Sequence, residues 1–188
     1  MPAFDPQDPN FVSAVRESFD RLTLMRTIGA RLEEVSAGQV EIVLAFRNDL
    51  TQQHGFMAAA ILTAVVDVAC GYAAMTLMPP GSSVVTIEYK ANFLAPARGE
   101  RMVARGRVIR PGRTVTVCAG DVIALEGATE KLVATLLATM MRVAGEQLAS
   151  PAEATARAHH PVAHPRRSRR WCLCRAWNKH RRDVTVSA

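Results

Sequence analysis

The sequence lacks the features of a secreted, disulfide-stabilised protein. It has only four cysteines, and Cys70 and Cys118 lie in apolar segments, where a buried free thiol is the usual outcome. The first residues, MPAFDPQDPNF, contain neither the basic stretch nor the apolar run of a signal peptide. We therefore expect a protein of the reducing cytoplasm without a disulfide framework.

Most of the chain also lacks an excess of positive or negative charge. Residues 1–150 contain 14 Lys and Arg against 15 Asp and Glu, whereas residues 151–188 contain 9 basic and 2 acidic residues. The formal net charge of +6 therefore belongs to the C-terminal segment. With 188 residues the chain is long enough for one domain with a sizeable core. We expect a globular domain over 1–145 and a basic, disordered tail over 146–188.

The tail offers two further interpretations, and we favour neither. Trp171 and Trp177 among basic residues could stack on nucleic-acid bases, and Cys172 and Cys174 could bind zinc. A single Cys-x-Cys lacks the paired spacing of structural zinc sites, and a solvated basic tail is the simpler interpretation. We expect no metal and no nucleic-acid partner, and we expect deletion of the tail to leave fold and activity intact.

One long apolar stretch, Phe56–Met78, dominates the chain. Its 23 residues are mostly small, and Asp67 near the centre is the one ionisable carboxylate among them. The stretch is long enough to span a membrane, but a central Asp is costly in lipid, so a helix buried in a soluble core is favoured. A buried carboxylate needs either a partner or a chemical purpose. Asp67 is therefore a candidate functional residue, and the alternative is a structural carboxylate capped by Thr63 or by an arginine.

Periodicity and turn residues predict the other elements. Asp8-Pro9 is typical of a helix start, and apolar residues at helical spacing predict a helix over about 9–22. Alternating side chains and Gly/Pro turns predict six strands, and we expect the last four to form an antiparallel meander. The predicted strands are Ile28–Val35, Gln39–Phe46, Ser83–Leu94, Arg101–Ile109, Thr114–Leu125 and Glu130–Val143. The order predicts an α+β fold in which a curved antiparallel sheet wraps one long helix.

Side-chain size predicts how the long helix is oriented. Its small residues form one stripe that is suited to contact with a second copy: Ala60, Thr63, Ala64, Asp67, Gly71 and Ala74. We expect its larger residues to face the sheet: Ile61, Leu62, Val65, Val68, Tyr72 and Met75.

This order of elements, the loop sequence QQHG, the Asp-bearing helix and the segment NFLAPARGE together resemble the hotdog-fold thioesterases. The resemblance covers about residues 20–143 and is closest to the subgroup of the phenylacetate-pathway (PaaI-like) thioesterase. It implies a hotdog fold, hydrolysis of acyl-CoA thioesters without a metal or organic cofactor, and assembly into homodimers or homotetramers.

The family motif has a Gln or Asn in the loop, His-Gly-Gly at the helix start, and an acidic residue nine positions after that His. Counted back from Asp67, these positions fall on Gln52 and on Ala58-Ala59-Ala60, so that alanines replace the His and both glycines. The alternative register uses His54-Gly55, but Asp67 is then 13 residues away, about one helical turn too far. The resemblance implies Asp67 as nucleophile or general base, Gln52 as the group that positions the thioester, and the Ala59 N–H as oxyanion donor.

Further residues are candidates for the site. His54 is a second catalytic candidate, and the substrate-binding candidates are Gly55, Ala58, Ala60, Thr86, Arg110 and Arg113. By alignment through NFLAPA, Thr86 falls on a family hydroxyl near the attacking water, and the two arginines flank a turn suited to CoA phosphates. The same residues also have ordinary explanations. Gln52 would be a polar loop residue, Thr86 a residue that favours strands, and the two arginines solvated residues of a hairpin turn.

The spacing of Ala59 and Asp67 predicts an obligate dimer. They lie eight residues apart, about 12 Å along a helix, so one helix cannot present both to the same thioester carbonyl. We expect two composite sites, each formed by the helix start of one subunit and Asp67 of the other. The alternative function is a hotdog protein that binds an acyl-CoA without hydrolysing it, which the loss of His-Gly-Gly favours. A hydratase ranks last, because no His/Asp pair is evident in one site.

Overall fold

The computed structural model describes residues 4–144, which contain three α-helices, one short 3-10 helix and six strands. The helices are α1 (Phe11–Asp20), α2 (Thr23–Ile28) and α3 (Ala59–Met75), and the 3-10 helix is Asn48–Leu50. The strands are β1 (Ala30–Ser36), β2 (Gln39–Ala45), β3 (Ser82–Phe93), β4 (Arg101–Arg110), β5 (Val115–Glu126) and β6 (Thr129–Ala144). The basic tail predicted over 146–188 lies outside the described residues.

The six strands form a single antiparallel sheet in the order β1-β2-β4-β5-β6-β3. α3 contacts every one of these strands, because the sheet curves around it. The predicted α+β architecture, with one long helix wrapped by a curved antiparallel sheet, is confirmed.

The predicted meander is correct for β4, β5 and β6 but wrong for β3. Both sides of β4 are occupied, by β2 and by β5, so β3 cannot pair with the strand that follows it. β3 pairs instead with β6, with Ser82 opposite Ala144 and Phe93 opposite Ala134. β3 is therefore an edge strand of the sheet.

Two glycines determine which side of α3 faces the sheet. A Cβ on Gly106 of β4 would lie 2.3 Å from the carbonyl carbon of Ala69, and one on Gly120 of β5 would lie 2.4 Å from Val66 Cγ2. The absence of side chains at these two positions thus allows the close approach of the helix to the middle of the sheet. Val66, Ala69 and Cys70 form the sheet-facing side, and all three are almost completely buried.

The prediction that Val68, Tyr72 and Met75 face the sheet is wrong. These residues line a cleft between α3, α1 and β3. The Tyr72 ring packs against Phe19 of α1, with ring centroids 6.0 Å apart. The side of α3 that carries Val66, Ala69 and Cys70 faces the middle of the sheet, and Tyr72 is left to pack on α1.

The N-terminal elements differ from the prediction at their ends. The helix predicted over about 9–22 is α1, which begins after Asn10, and the Asp8 carboxylate accepts a hydrogen bond from the Asn10 N–H at 2.8 Å. α2 was not predicted, because six residues are too few for a periodic pattern. Gly29 ends α2 with φ 77°, and β1 therefore begins at Ala30 rather than Ile28.

The apolar stretch Phe56–Met78 forms a helix that is shorter than the stretch itself. α3 has 17 residues, and nine of them are buried within the domain. Within residues 4–144, no helix combines the length and the apolar character that crossing a bilayer requires.

Candidate functional site

Asp67 lies at the middle of α3, beside β3. Thr86 Oγ1 donates a hydrogen bond to Asp67 Oδ1 at 2.9 Å. Thr63, the alternative cap, donates to the Ala59 carbonyl oxygen instead, and among the described residues no arginine forms an ion pair with Asp67. Burial raises the pKa of the half-buried Asp67 above its usual value, and the hydrogen bond from Thr86 opposes this shift by lowering the pKa.

Asp67 and Thr86 open onto a cavity of about 270 Å³, here called the Asp67 cleft. α3, α1 and the first half of β3 form its walls. The lining residues are Ser18, Leu22, Asp67, Val68, Gly71, Tyr72, Met75, Ser83, Val84 and Thr86. The cleft combines apolar walls with one carboxylate and several hydroxyl groups, which suits an acyl group next to a reacting carbonyl.

The start of α3 carries free hydrogen-bond donors. Ala58 is the N-cap residue, with φ −64° and ψ 137°, and no side chain of the described residues caps the helix. The N–H groups of Ile61 and Leu62 donate to the Ala58 carbonyl, whereas those of Ala59 and Ala60 have no acceptor within residues 4–144. Free N–H groups at the positive end of a helix stabilise an anion. The extended backbone of Ala58 and the helical backbone of Ala59 do not require glycine, so the alanines leave these donors in place.

Gln52 and Ala59 line a second cavity, of about 430 Å³, here called the Gln52 cleft. It lies at the N-terminal end of α3, between the loop before the helix and the end of β3. The lining residues are Gln52, Phe56, Met57, Ala59, Leu62, Phe93, Leu94, Ala95, Pro96 and Ala97. The Gln52 side chain accepts a hydrogen bond from the His54 N–H, and the Gln52 carbonyl accepts one from the Gly55 N–H at 2.9 Å. The loop thereby fixes the amide at the mouth of this cleft.

The remaining predicted residues lie at different places. His54, Gly55 and Ala60 are exposed around the start of α3. Arg110 and Arg113 are exposed at the turn between β4 and β5, near the opposite end of the helix, where Arg113 lines a cavity with Met78 and Arg142.

The structure therefore brings the predicted residues together in pairs. Asp67 and Thr86 share one cleft, and Gln52 and Ala59 share the other. In the described part of one chain, the two pairs do not line a common cavity. Within residues 4–144, no three His, Cys, Asp or Glu side chains are grouped so as to hold a metal ion.

The sequence did not predict the contribution of α1 to the Asp67 cleft. Tyr72 donates a hydrogen bond from its hydroxyl to Ser18 Oγ at 3.1 Å, and both residues line this cavity. Ser18 lies far from Asp67 in the sequence. No local spacing therefore pointed to it.

Comparison with known proteins identifies relatives of this chain. The model of the Thioesterase superfamily matches residues 54–131. The crystal structure of a thioesterase family protein from Silicibacter pomeroyi is 44% identical, with a TM-score of 0.70. That alignment covers 72% of this chain and 99% of the Silicibacter chain.

Two further relatives carry related names. A Saccharolobus solfataricus protein, provisionally named an esterase, is 30% identical over 116 residues, which cover 62% of this chain and 75% of that protein. A protein of Ralstonia eutropha, provisionally named a thioesterase and described as related to phenylacetic acid degradation, is 26% identical with a TM-score of 0.61. That alignment covers 70% of this chain and 98% of the Ralstonia chain.

Proposed function

The chain belongs to the thioesterase superfamily, has the hotdog fold and is a thioester hydrolase, and on that basis we propose that it hydrolyses acyl-CoA thioesters at two composite sites of a homodimer. The resemblance that the sequence carries in QQHG, the Asp67 helix and NFLAPARGE is confirmed for the family. The acyl-CoA substrate, the catalytic roles and the dimer belong to the proposal.

The observation that carries the proposal is the separation of two complementary half-sites. The carboxylate of Asp67 lines one cleft, and the free N–H of Ala59 and the amide of Gln52 line the other. A thioester carbonyl needs a nucleophile or base at its carbon and hydrogen-bond donors at its oxygen. Because Ala59 and Asp67 are about 12 Å apart along α3, the two halves must come from different subunits.

The edge strand β3 supports a particular way of joining the subunits. Its first half borders the Asp67 cleft and its last residues border the Gln52 cleft. Antiparallel pairing of two β3 strands about a twofold axis near Tyr89 and Lys90 places Thr86 opposite the partner's Phe93. The Asp67 cleft of one subunit then adjoins the Gln52 cleft of the other. Ile87 and Phe93 on this strand are 52% and 49% exposed, and an edge strand that exposes apolar side chains favours pairing with a second copy.

The proposed chemistry uses only groups of the protein and water. Ionised Asp67 attacks the thioester carbon to give an acyl-enzyme, or it takes a proton from a water molecule that attacks the same carbon. Thr86 holds the carboxylate in position, and the partner's Ala59 N–H stabilises the oxyanion. The carbon–sulfur bond then breaks, and CoA leaves as its thiolate, which takes up a proton. In the acyl-enzyme route a water molecule hydrolyses the intermediate and restores Asp67.

The proposal gives secondary roles to the other predicted residues. Ala58 and Ala60 surround the oxyanion donor, and His54 and Gly55 shape the loop that carries Gln52. Arg110 and Arg113 are proposed to bind CoA phosphates, which is supported by their exposure and by the absence of ion-pair partners for them within residues 4–144. Guanidinium groups bind phosphate well because they donate several hydrogen bonds in one plane.

Binding of an acyl-CoA without hydrolysis is the second candidate function. It is favoured by Ala58-Ala59-Ala60, which lacks the His-Gly-Gly of the family motif. The free backbone donors at Ala59 and Ala60 favour hydrolysis, because the missing side chains do not remove them.

Release of free CoA from a panel of aryl and fatty acyl-CoAs tests the proposal. We expect turnover by the parent protein and a loss of at least about 10²-fold for Asp67→Asn, since a positioned base contributes about 10²–10⁴-fold. Asp121→Asn is the matched control, because Asp121 lies on the opposite face of the sheet, where it accepts hydrogen bonds from Arg107 and Thr135. Binding without turnover by the parent would support the second candidate function and exclude the first.

A further inference from the structure

We propose that Ser18 and Tyr72 form the end wall of the acyl-binding cavity and select acyl groups that carry a polar atom at their far end. The inference rests on the proposed function, since it places the thioester carbonyl beside Asp67. Ser18 lies outside residues 54–131, the segment that the family model matches. One half of the pair is thus supplied by α1, and Tyr72 of α3 supplies the other.

The lining of the Asp67 cleft follows one face of α3. Asp67, Val68, Gly71, Tyr72 and Met75 recur at helical spacing along it. Tyr72 is five residues beyond Asp67, about 7.5 Å along the helix axis. An acyl group whose carbonyl lies beside Asp67 therefore reaches Tyr72 with its far end. Gly71 lines the cleft between them.

Tyr72 and Ser18 are held in place as a pair. Tyr72 is only 6% exposed, and its ring packs on Phe19 of α1. Its hydroxyl donates to Ser18 Oγ at 3.1 Å, which leaves the Ser18 proton free to donate and the Tyr72 oxygen free to accept. The pair therefore offers one donor and one acceptor at the end of the cleft.

The walls before this end are apolar. Leu22, which precedes α2, Val68 of α3 and Val84 of β3 line the cleft on three sides and suit a hydrocarbon segment. A plain hydrocarbon chain that fills the cleft displaces water from the Ser18 and Tyr72 hydroxyls and gives them no partner in return. A chain of the same length with a terminal hydroxyl replaces that water with hydrogen bonds. The cavity therefore suits a short acyl group with a polar end better than a hydrocarbon chain.

The preference is measured with hexanoyl-CoA and 6-hydroxyhexanoyl-CoA. We expect kcat/KM to be about three- to tenfold higher for the hydroxylated substrate, as one net hydrogen bond provides. Tyr72→Phe and Ser18→Ala should each bring the ratio of the two kcat/KM values close to one. Ser13→Ala is the matched control, because Ser13 lies on the same helix but is exposed and donates to the Asn10 carbonyl. It should keep the ratio of the parent.

Binding of the two corresponding thioether analogues, which cannot be hydrolysed, separates this inference from the proposed function. In one outcome no thioester is hydrolysed, but the hydroxylated analogue binds more tightly and Tyr72→Phe removes that preference. This outcome would support the end wall formed by Ser18 and Tyr72, and the proposed function would fail. If the parent hydrolyses both substrates with equal kcat/KM, the inference is overturned and the proposed function stands. A preference that survives in both variants, or the binding of neither analogue, also overturns the inference. Thermal unfolding of each variant verifies that it is folded.

Discussion

Thr86 Oγ1 lies 2.9 Å from Asp67 Oδ1, so the edge strand β3 donates a hydrogen bond directly to the carboxylate of the central helix. Burial raises the pKa of Asp67, and this hydrogen bond lowers it. The strand that borders both clefts therefore also helps to set the pH range in which Asp67 is ionised.

Thr86→Val should shift the pH dependence of hydrolysis. Valine has a similar shape but no hydroxyl, so the pKa of Asp67 should rise further. Because the ionised carboxylate is the active form, the acidic limb of the kcat/KM profile should move to higher pH. Thr86→Ser retains a hydroxyl and should keep the limb near its parental position. A profile that is unchanged in Thr86→Val would show that Asp67 does not titrate in this limb.

Asp67→Asn should stabilise the protein at neutral pH. The unfolded-state pKa is near 3.8, and the folded-state pKa is raised, so folding disfavours the ionised form of Asp67. This cost grows as the pH rises from the unfolded to the folded pKa, and it is complete above the folded pKa. The parent alone bears this cost, so the free energy of unfolding of Asp67→Asn should exceed that of the parent at pH 7. Urea denaturation at pH 7 and pH 3 measures the difference, which should vanish at pH 3.

Ala59→Pro should remove the oxyanion donor while keeping the helix. Proline is well tolerated at the first helical position, and the preceding Ala58 already has the extended backbone that proline requires, with ψ 137°. Loss of one such donor lowers turnover by about 10²–10³-fold. Ala59→Ser keeps the N–H and should retain turnover. Equal activity in Ala59→Pro and Ala59→Ser would rule out the Ala59 N–H as the donor.

Mixing Asp67→Asn with Ala59→Pro should restore activity that neither variant has alone. Random exchange makes half of the dimers mixed, and each mixed dimer has one site with an intact Asp67 and an intact Ala59. About a quarter of the parental activity should therefore return after the subunits have been dissociated and reassociated. A site contained within one chain would give no recovery.

Gly106→Ala should destabilise the fold strongly. The new Cβ would lie 2.3 Å from the carbonyl carbon of Ala69, and backbone on both sides leaves little room to adjust. Overpacking of this kind lowers the free energy of unfolding by about 3 kcal/mol. Gly71→Ala is the matched control, because its Cβ would meet Val84 Cγ1 at an ordinary 3.7 Å and helical alanine is favoured over glycine by about 1 kcal/mol. In denaturant unfolding, the free energy of unfolding should therefore fall below that of the parent for Gly106→Ala and rise above it for Gly71→Ala.

The sequence was sufficient to predict helices and strands that are marked by a pattern within their own residues. The apolar stretch around Asp67 predicted α3, and alternation with turn residues placed the strands near their observed ends. Thr86 was named only through the family resemblance, yet it lies at hydrogen-bond distance from the carboxylate. Asp67 itself could be identified locally, because it is the one carboxylate in a long apolar run.

Features that depend on distant contacts were not predictable in the same way. The sheet-facing side of α3 follows from Gly106 and Gly120, which lie in other strands, so the helix pattern alone placed Val68, Tyr72 and Met75 on the wrong side. The place of β3 at the edge follows from β4 being paired on both sides. Ser18 reaches the Asp67 cleft only because α1 packs on Tyr72.

The pairing of β3 with β6 has a consequence for protein synthesis. Phe93 pairs with Ala134 and Ser82 with Ala144, residues that are translated 41 and 62 positions later. At about 5–20 residues per second, β3 waits roughly 2–12 s for the strand that covers one of its edges. During that interval both edges of β3 are open on the nascent chain. A chaperone that shields exposed strands would therefore act on this protein mainly between the emergence of Phe93 and that of Ala144.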